Sequence, residues 1–128
     1  MNNYLVESTH SSPKIQLDAQ KGTLLIVGRS IPENAMKIYK PVMEWIEQYS
    51  VKPKKRTTIT IQLSFFNTST SKYLMELLKR FEDVCKQGFD VIVDWHCDDE
   101  DILDIVQDYK ALVKVPVNII ASENISNN

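Results

Sequence analysis

Four hydroxyl side chains stand in a row at Thr68-Ser69-Thr70-Ser71, between Asn67 and Lys72 and directly after the apolar pair Phe65-Phe66. Hydroxyls at such a junction can do three kinds of work. One can accept a hydrogen bond from a backbone N–H two or three residues on and cap a helix, with Thr68 or Ser69 best placed. The free N–H groups and positive dipole end of a helix can hold an anion. A hydroxyl can also accept a phosphoryl group, which adds roughly −1.5 to −2 charges at pH 7 and leaves a helix N-terminus intact. Capping needs one hydroxyl of the four, so on these residues alone all three readings stay open.

Other segments carry chemistry-bearing residues at lower specificity. Asp94, Asp98, Asp99, Glu100, Asp101 and Asp104 read as a solvated helix start, where acids complement the dipole, or as a docking rim. They do not follow a calcium-loop spacing. Strand alternation puts the neighbouring His96 and Cys97 on opposite faces, so no metal is expected. Gly28-Arg29-Ser30 could form an anion loop after a strand, but it lacks the second glycine of a nucleotide fingerprint. Lys52 to Arg56 reads as a solvated basic loop, with a basic docking patch as the alternative. There is no Gly-x-Ser-x-Gly elbow, Walker loop or His-Glu-x-x-His. The two histidines, His10 and His96, sit in no recognisable nucleophile arrangement. A non-enzyme without a cofactor is expected.

The elements that must position these residues follow from periodicity. Tyr4 to Thr9, Lys14 to Asp18 and Thr23 to Gly28 read as strands separated by Pro13 and by the turn Gln20-Lys21-Gly22. Ser30 to Ser50 changes to a helical period through Ala35, Ile38, Tyr39, Val42, Met43, Trp45, Ile46 and Tyr49. Pro32 suits its first turn, and Pro41 predicts a kink or two short helices. Thr57 to Phe66 is a β-branched strand. Ser69 to Lys86 is a helix that Gly88 ends. Phe89 to Trp95 is a buried strand. Asp98 to about Leu112 is a third helix, with Ile102, Leu103, Ile105, Val106 and Tyr109 facing inward. Pro116 to Ala121 is a last strand.

The order βββ-α-β-α-β-α-β predicts an α/β protein with one mixed sheet and flanking helices on one face or both. The length of 128 residues fits one domain, 1–128, with residues 1–3 and the polar stretch 122–128 flexible. A net charge of −2 offers nothing to attract nucleic acid or anionic lipid. No apolar run approaches a membrane span, and the start Met1-Asn2-Asn3-Tyr4 lacks the features of a signal peptide. The two cysteines suggest neither a disulfide framework nor a zinc pattern. A cytoplasmic protein is expected.

In a parallel run every helix starts at the carboxyl edge of the strands, where α/β proteins bind ligands. That edge gathers Arg29, Ser30, Glu33 and Asn34, then Asn67 to Lys72, then Asp99, Glu100 and Asp101. These form the candidate partner surface: Asn67, Ser69, Thr70, Ser71 and Lys72 around Thr68, with the first and third groups beside them.

Several of these pieces together resemble the SiaC family of bacterial regulatory phosphoproteins. They are Gly28-Arg29-Ser30-Ile31-Pro32-Glu33-Asn34, Tyr39-Lys40-Pro41 with Trp45, Phe65 through Lys72, and Trp95 followed by Asp99-Glu100-Asp101. The resemblance runs roughly from Leu5 to Val117. It implies a fold like the anti-sigma-factor antagonists (STAS-like) and no catalytic activity. It implies phosphorylation by a dedicated protein kinase and reversal by a PP2C-type phosphatase. The unphosphorylated form is expected to bind and activate a diguanylate cyclase (a GGDEF protein), raising cyclic di-GMP and favouring biofilm. The acceptor threonine of the family's Asn-Thr-Ser-Ser-Ser-Lys motif matches Thr68. Thr70 replaces a serine within that motif, Phe65 a tyrosine, and His96-Cys97 a more aromatic and acidic pair. Ile105-Val106-Gln107-Asp108 departs from a Gly-Glu-Asp pattern in the third helix. The alternative function is an anti-sigma-factor antagonist in a partner-switching pathway. A small enzyme or anion-binding module using the hydroxyl run and Arg29 is the third.

Overall fold

The computed structural model describes residues 1–121, and the expected tail from Ser122 lies outside them. The elements are β1 (Tyr4–Val6), β2 (Lys14–Asp18), β3 (Thr23–Ser30), α1 (Ala35–Tyr49), β4 (Arg56–Phe66), α2 (Thr68–Lys86), β5 (Asp90–Cys97), α3 (Glu100–Leu112) and β6 (Val117–Ala121). They follow the expected order. One six-stranded sheet runs β1-β2-β3-β4-β5-β6, so neighbours in sequence are neighbours in space. β1, β2 and β3 pair antiparallel, and β3 through β6 pair parallel.

This sequential order answers which faces the helices cover. Crossovers of one hand between consecutive parallel strands put α1, α2 and α3 on the same face. Burial alternates accordingly. Ile15, Leu17, Leu24, Ile26, Ile59, Ile61, Leu63, Val91, Val93 and Trp95 form the core beneath the helices. Gln16, Leu25, Thr60, Asp94 and Asn118 lie opposite one another across β2 to β6 and stay partly or fully exposed. Among the described residues no helix lies on the second face of the sheet.

Several local expectations are corrected. β1 ends at Val6 rather than Thr9, because the Thr9 hydroxyl accepts from the N–H groups of Ser11 and Ser12 and draws the chain into a turn. β3 continues through Ser30. α1 is one continuous helix through Pro41, and Pro32 precedes it rather than opening it. An interior proline costs a helix about 3 kcal/mol. Tyr39, Val42, Trp45, Ile46 and Tyr49 are all buried on the packing face, and burial of large apolar side chains at about 1.5–3 kcal/mol each outweighs that cost. In α3, Ile102, Val106 and Tyr109 are buried, whereas Leu103 is half-buried and Ile105 is exposed.

Asn2 and Asn3 have hydrogen-bond partners in the fold. The Trp45 indole donates to the Asn2 carbonyl at 3.0 Å, and the Ala19 N–H donates to Asn3 Oδ1 at 3.0 Å. Gly22, in the turn before β3, has φ 68° and accepts from the Thr58 N–H of β4 at 2.9 Å, and a Cβ there would stand 2.7 Å from the Arg56 carbonyl oxygen. No helix among the described residues is long and apolar enough to cross a membrane.

Candidate functional site

The carboxyl ends of β3, β4 and β5 bring the three candidate segments to one edge. Asn67 organises the middle one. Its N–H donates to the Ser30 carbonyl at 3.1 Å, and its Nδ2 donates to the Pro32 carbonyl at 3.3 Å. Its Oδ1 accepts from the Thr70 N–H at 3.0 Å. The cap of α2 is therefore Asn67, and neither Thr68 nor Ser69 is needed for it. An asparagine at this position satisfies one of the helix's free N–H groups as well as a hydroxyl does.

The four hydroxyls then divide into two pairs. Thr70 is fully buried; its Oγ1 donates to the Ser30 carbonyl at 3.0 Å and lies 2.9 Å from Ser30 Oγ. Ser30 Oγ in turn lies 2.7 Å from the Tyr39 hydroxyl. Burial pushes the Tyr39 phenol up to about 12, against the smaller opposing effect of its bonds to Ser30 and Thr70. Ser71 bonds through its hydroxyl to that of Tyr109, which also donates to the Ser71 carbonyl at 3.1 Å. Burial raises the Tyr109 phenol as well, with the Ser71 bond lowering it in part. Tyr109 stacks on Trp95 with ring centroids 5.2 Å apart, and the Phe66 ring centroid lies 6.4 Å from that of Trp95.

Thr70 thus fastens the first turn of α2 to β3 and α1, and Ser71 fastens it to α3. Thr68 and Ser69 are exposed, and their hydroxyls have no hydrogen-bond partner among the described residues. Ser69 lines a shallow groove of about 330 Å³ with Lys72, Tyr73 and Glu76.

The structure corrects part of the expected partner surface. Ser30 and Thr70 are sealed inside the protein, because each satisfies the other's hydrogen-bonding groups beneath α1 and α2. Gly28-Arg29-Ser30 is strand rather than loop, so it forms no anion cradle. Asn34 is exposed and caps α1, with Oδ1 accepting from the Lys37 N–H at 3.4 Å. Asp99 caps α3 at 2.7 Å from the Asp101 N–H, and Glu100 and Asp101 fill that helix's first turn. The acidic segment therefore does the work of a helix start. Arg29, Glu33, Lys72, Asp99, Glu100 and Asp101 remain exposed at the edge.

Two features of the edge were not expected. Phe65 is 61% exposed, although β4 has already buried Ile59, Ile61 and Leu63 at alternate positions. The register between β3 and β4 shifts between Gly28 and Arg29, so that Gly28 faces Leu63 while Arg29 faces Phe65. Gly28 adopts φ 127°, a conformation side-chain-bearing residues rarely take. A dependence on glycine within an apolar strand was the available signal for a bulge.

The edge offers no grouping of three His, Cys, Asp or Glu side chains that could hold a metal ion, nor does any other described part of the chain. Cys97 is buried, and its thiol is pushed up by that burial and then by Asp98. Among the described residues no basic side chain hydrogen-bonds to the Thr68 hydroxyl. What the edge does present is a free hydroxyl on a helix end that other residues hold in place.

The fold is a mixed six-stranded sheet with three helices on one face and a hydroxyl-rich helix start at its carboxyl edge. The model of the SiaC family regulatory phosphoprotein matches residues 6–122, and the chain belongs to that family. An uncharacterized protein of Pseudomonas aeruginosa is 28% identical over 125 residues, covering 96% of this chain and 99% of the relative. The crystal structure of apo-SiaC from Pseudomonas aeruginosa superposes with a TM-score of 0.89 at 28% identity, over 94% of this chain and 100% of SiaC. SiaC in complex with the diguanylate cyclase SiaD, which it activates, superposes at 0.87 and 28% identity over 92% of this chain and 98% of that one.

Proposed function

We propose that this chain is a non-enzymatic regulator whose unphosphorylated form binds and activates a diguanylate cyclase, and that phosphate on Thr68 turns this binding off. A protein kinase adds the phosphate and a PP2C-type phosphatase removes it, which sets cyclic di-GMP and biofilm formation in the cytoplasm. The observation that carries this reading is the division of the hydroxyl run. Thr70 and Ser71 hold α2 in place, while Thr68 stands exposed on the turn they hold. A phosphate can be added at Thr68 without breaking any hydrogen bond of its hydroxyl.

The complex of SiaC with SiaD supports a cyclase as the partner class. The partner surface on this reading is the exposed part of the edge: Arg29, Glu33, Asn34, Ser69, Lys72, Asp99, Glu100 and Asp101. A phosphate at Thr68 changes its charge by roughly −1.5 to −2 at pH 7. That change falls beside the acids of α3 and opposes a partner that fits the unmodified surface.

The test is fragment mass spectrometry after incubation with the kinase of the same bacterium, together with capture of partners by the unmodified chain. Phosphate on Thr68 and recovery of a diguanylate cyclase are expected. Phosphate confined to Ser69 contradicts the acceptor assignment. Recovery of a sigma-regulating kinase in place of a cyclase contradicts the target.

A further inference from the structure

We propose that Phe65, with Arg29 opposite it on β3, is the anchor by which this chain grips its diguanylate cyclase; this rests on the reading given above. Side chains on β4 alternate, and Ile59, Ile61 and Leu63 are almost completely buried. The same alternation would carry Phe65 into the core. It does not, because Gly28 pairs with Leu63 and the next residue, Arg29, pairs with Phe65, leaving Ser64 without a counterpart. A bulge of this kind re-aims the side chains that follow it. Ser64 and Phe65 both face out, and Phe66 turns inward toward Trp95.

Phe66 gains core packing from the bulge, but the outward turn of Phe65 does not help the fold. A bulge interrupts the ladder of a central strand pair, and an exposed phenyl ring gives up the burial that a core position offers. Arg29 is exposed and makes no ion pair among the described residues. Aromatic residues and arginine are the types that dominate the energetic centres of protein interfaces. Here they form one cross-strand pair at the edge that also carries Thr68.

The pair fits a partner surface with an apolar pocket for the ring and a carboxylate beside it for the guanidinium, which can pair in bidentate fashion. The Asn67 N–H bonds to the Ser30 carbonyl, so Arg29 and Thr68 are each the immediate chain neighbour of a residue in the same hydrogen bond. Phosphate on Thr68 adds an anion at the same strand end, which gives the modification a route to weaken the partner's hold.

The probe is the purified cyclase that the wild-type chain captures from its own bacterium, titrated calorimetrically against the full chain. Phe65→Ala is expected to weaken binding at least about thirtyfold, as an interface hot spot does, and Arg29→Glu at least about tenfold. Leu112→Ala, at the far end of α3 and 62% exposed, serves as the control and is expected to bind as wild type does. Circular dichroism melts establish that each variant is folded, and Arg29→Glu carries the test should Phe65→Ala fail to fold. Wild-type binding with Phe65→Ala and Arg29→Glu both within twofold of it overturns the anchor alone. Failure of the wild-type chain to capture any cyclase overturns the regulatory reading, and the anchor with it.

Discussion

The hydroxyls of Ser30 and Thr70 lie 2.9 Å apart in the core, although the two residues are 40 positions apart in the chain. This contact joins the end of β3 to the first turn of α2, and the Tyr39 hydroxyl extends it to α1. A modification site needs a firm base if added charge is to act outward on a partner rather than inward on the fold. On the proposed reading the buried hydroxyls supply that base for Thr68, one part of the run being structural and another part free.

Thr70→Val keeps the shape of the side chain and removes the hydroxyl that bonds both Ser30 Oγ and the Ser30 carbonyl. Buried groups left without partners cost about 1–3 kcal/mol. Urea unfolding is expected to show a loss of that size, and a Thr68→Val variant is expected to stay within about 0.5 kcal/mol of wild type, as surface substitutions do.

Assignment of the α2 cap to Asn67 separates it from the hydroxyls. Asn67→Ala is expected to destabilise the protein by about 1 kcal/mol, because the Thr70 N–H loses its acceptor. Thr68→Ala and Ser69→Ala are expected to be near neutral by the same measurement. A cap-sized loss from Thr68→Ala would contradict the division of roles.

Tyr39 gives the protein an alkaline limit. Its phenol is held protonated by burial to about 12, against an ordinary value of 10.0. A group whose folded pKa is raised contributes stability that is complete below the unfolded value and is lost as pH rises through the folded one. Stability is therefore expected to fall between about pH 10 and pH 12. Tyr39→Phe is expected to be less stable at neutral pH, because Ser30 Oγ loses a partner, but to show a flatter decline over that window in urea titrations.

Glu82 gives an acid limit of the opposite sign. Its carboxylate accepts from the Lys114 N–H at 2.8 Å, and that bond is the largest cause of its lowered pKa. Lys79 lies 3.4 Å from it and adds to the effect. Stability from this group is present above its ordinary value of 4.5 and is lost as pH falls from there through the lowered folded value. Glu82→Gln is expected to remove part of the acid dependence while leaving cyclase binding unchanged.

The order of elements was legible because each one carries its own period: alternation in Thr57 to Phe66, and spacings of three and four in the helices. The edge where the candidate residues meet followed from topology alone. The roles of those residues did not, because they depend on partners far away in the chain. Nothing local tells Thr70 from Thr68, since the difference is the Ser30 hydroxyl and carbonyl on another strand. The outward turn of Phe65 depends on the register between β3 and β4, which neither segment encodes alone. By residue type Asn67 and the hydroxyls after it match a cap equally well, and the bond from the Thr70 N–H to Asn67 Oδ1 separates them. Ile105 was placed inward by periodicity, but the buried stripe of α3 is narrower, comprising Ile102, Val106 and Tyr109.

The central claim is that charge on one exposed threonine decides whether the partner binds. The most direct measurement compares affinity for the captured diguanylate cyclase, and its activation, between unmodified chain and chain phosphorylated stoichiometrically at Thr68, with Thr68→Ala treated with kinase as the third sample. The account predicts that phosphorylation lowers affinity by at least about tenfold, a change of 1.4 kcal/mol, and abolishes activation, while the kinase-treated Thr68→Ala variant binds and activates like unmodified protein. Equal binding by the phosphorylated and unmodified forms would contradict it.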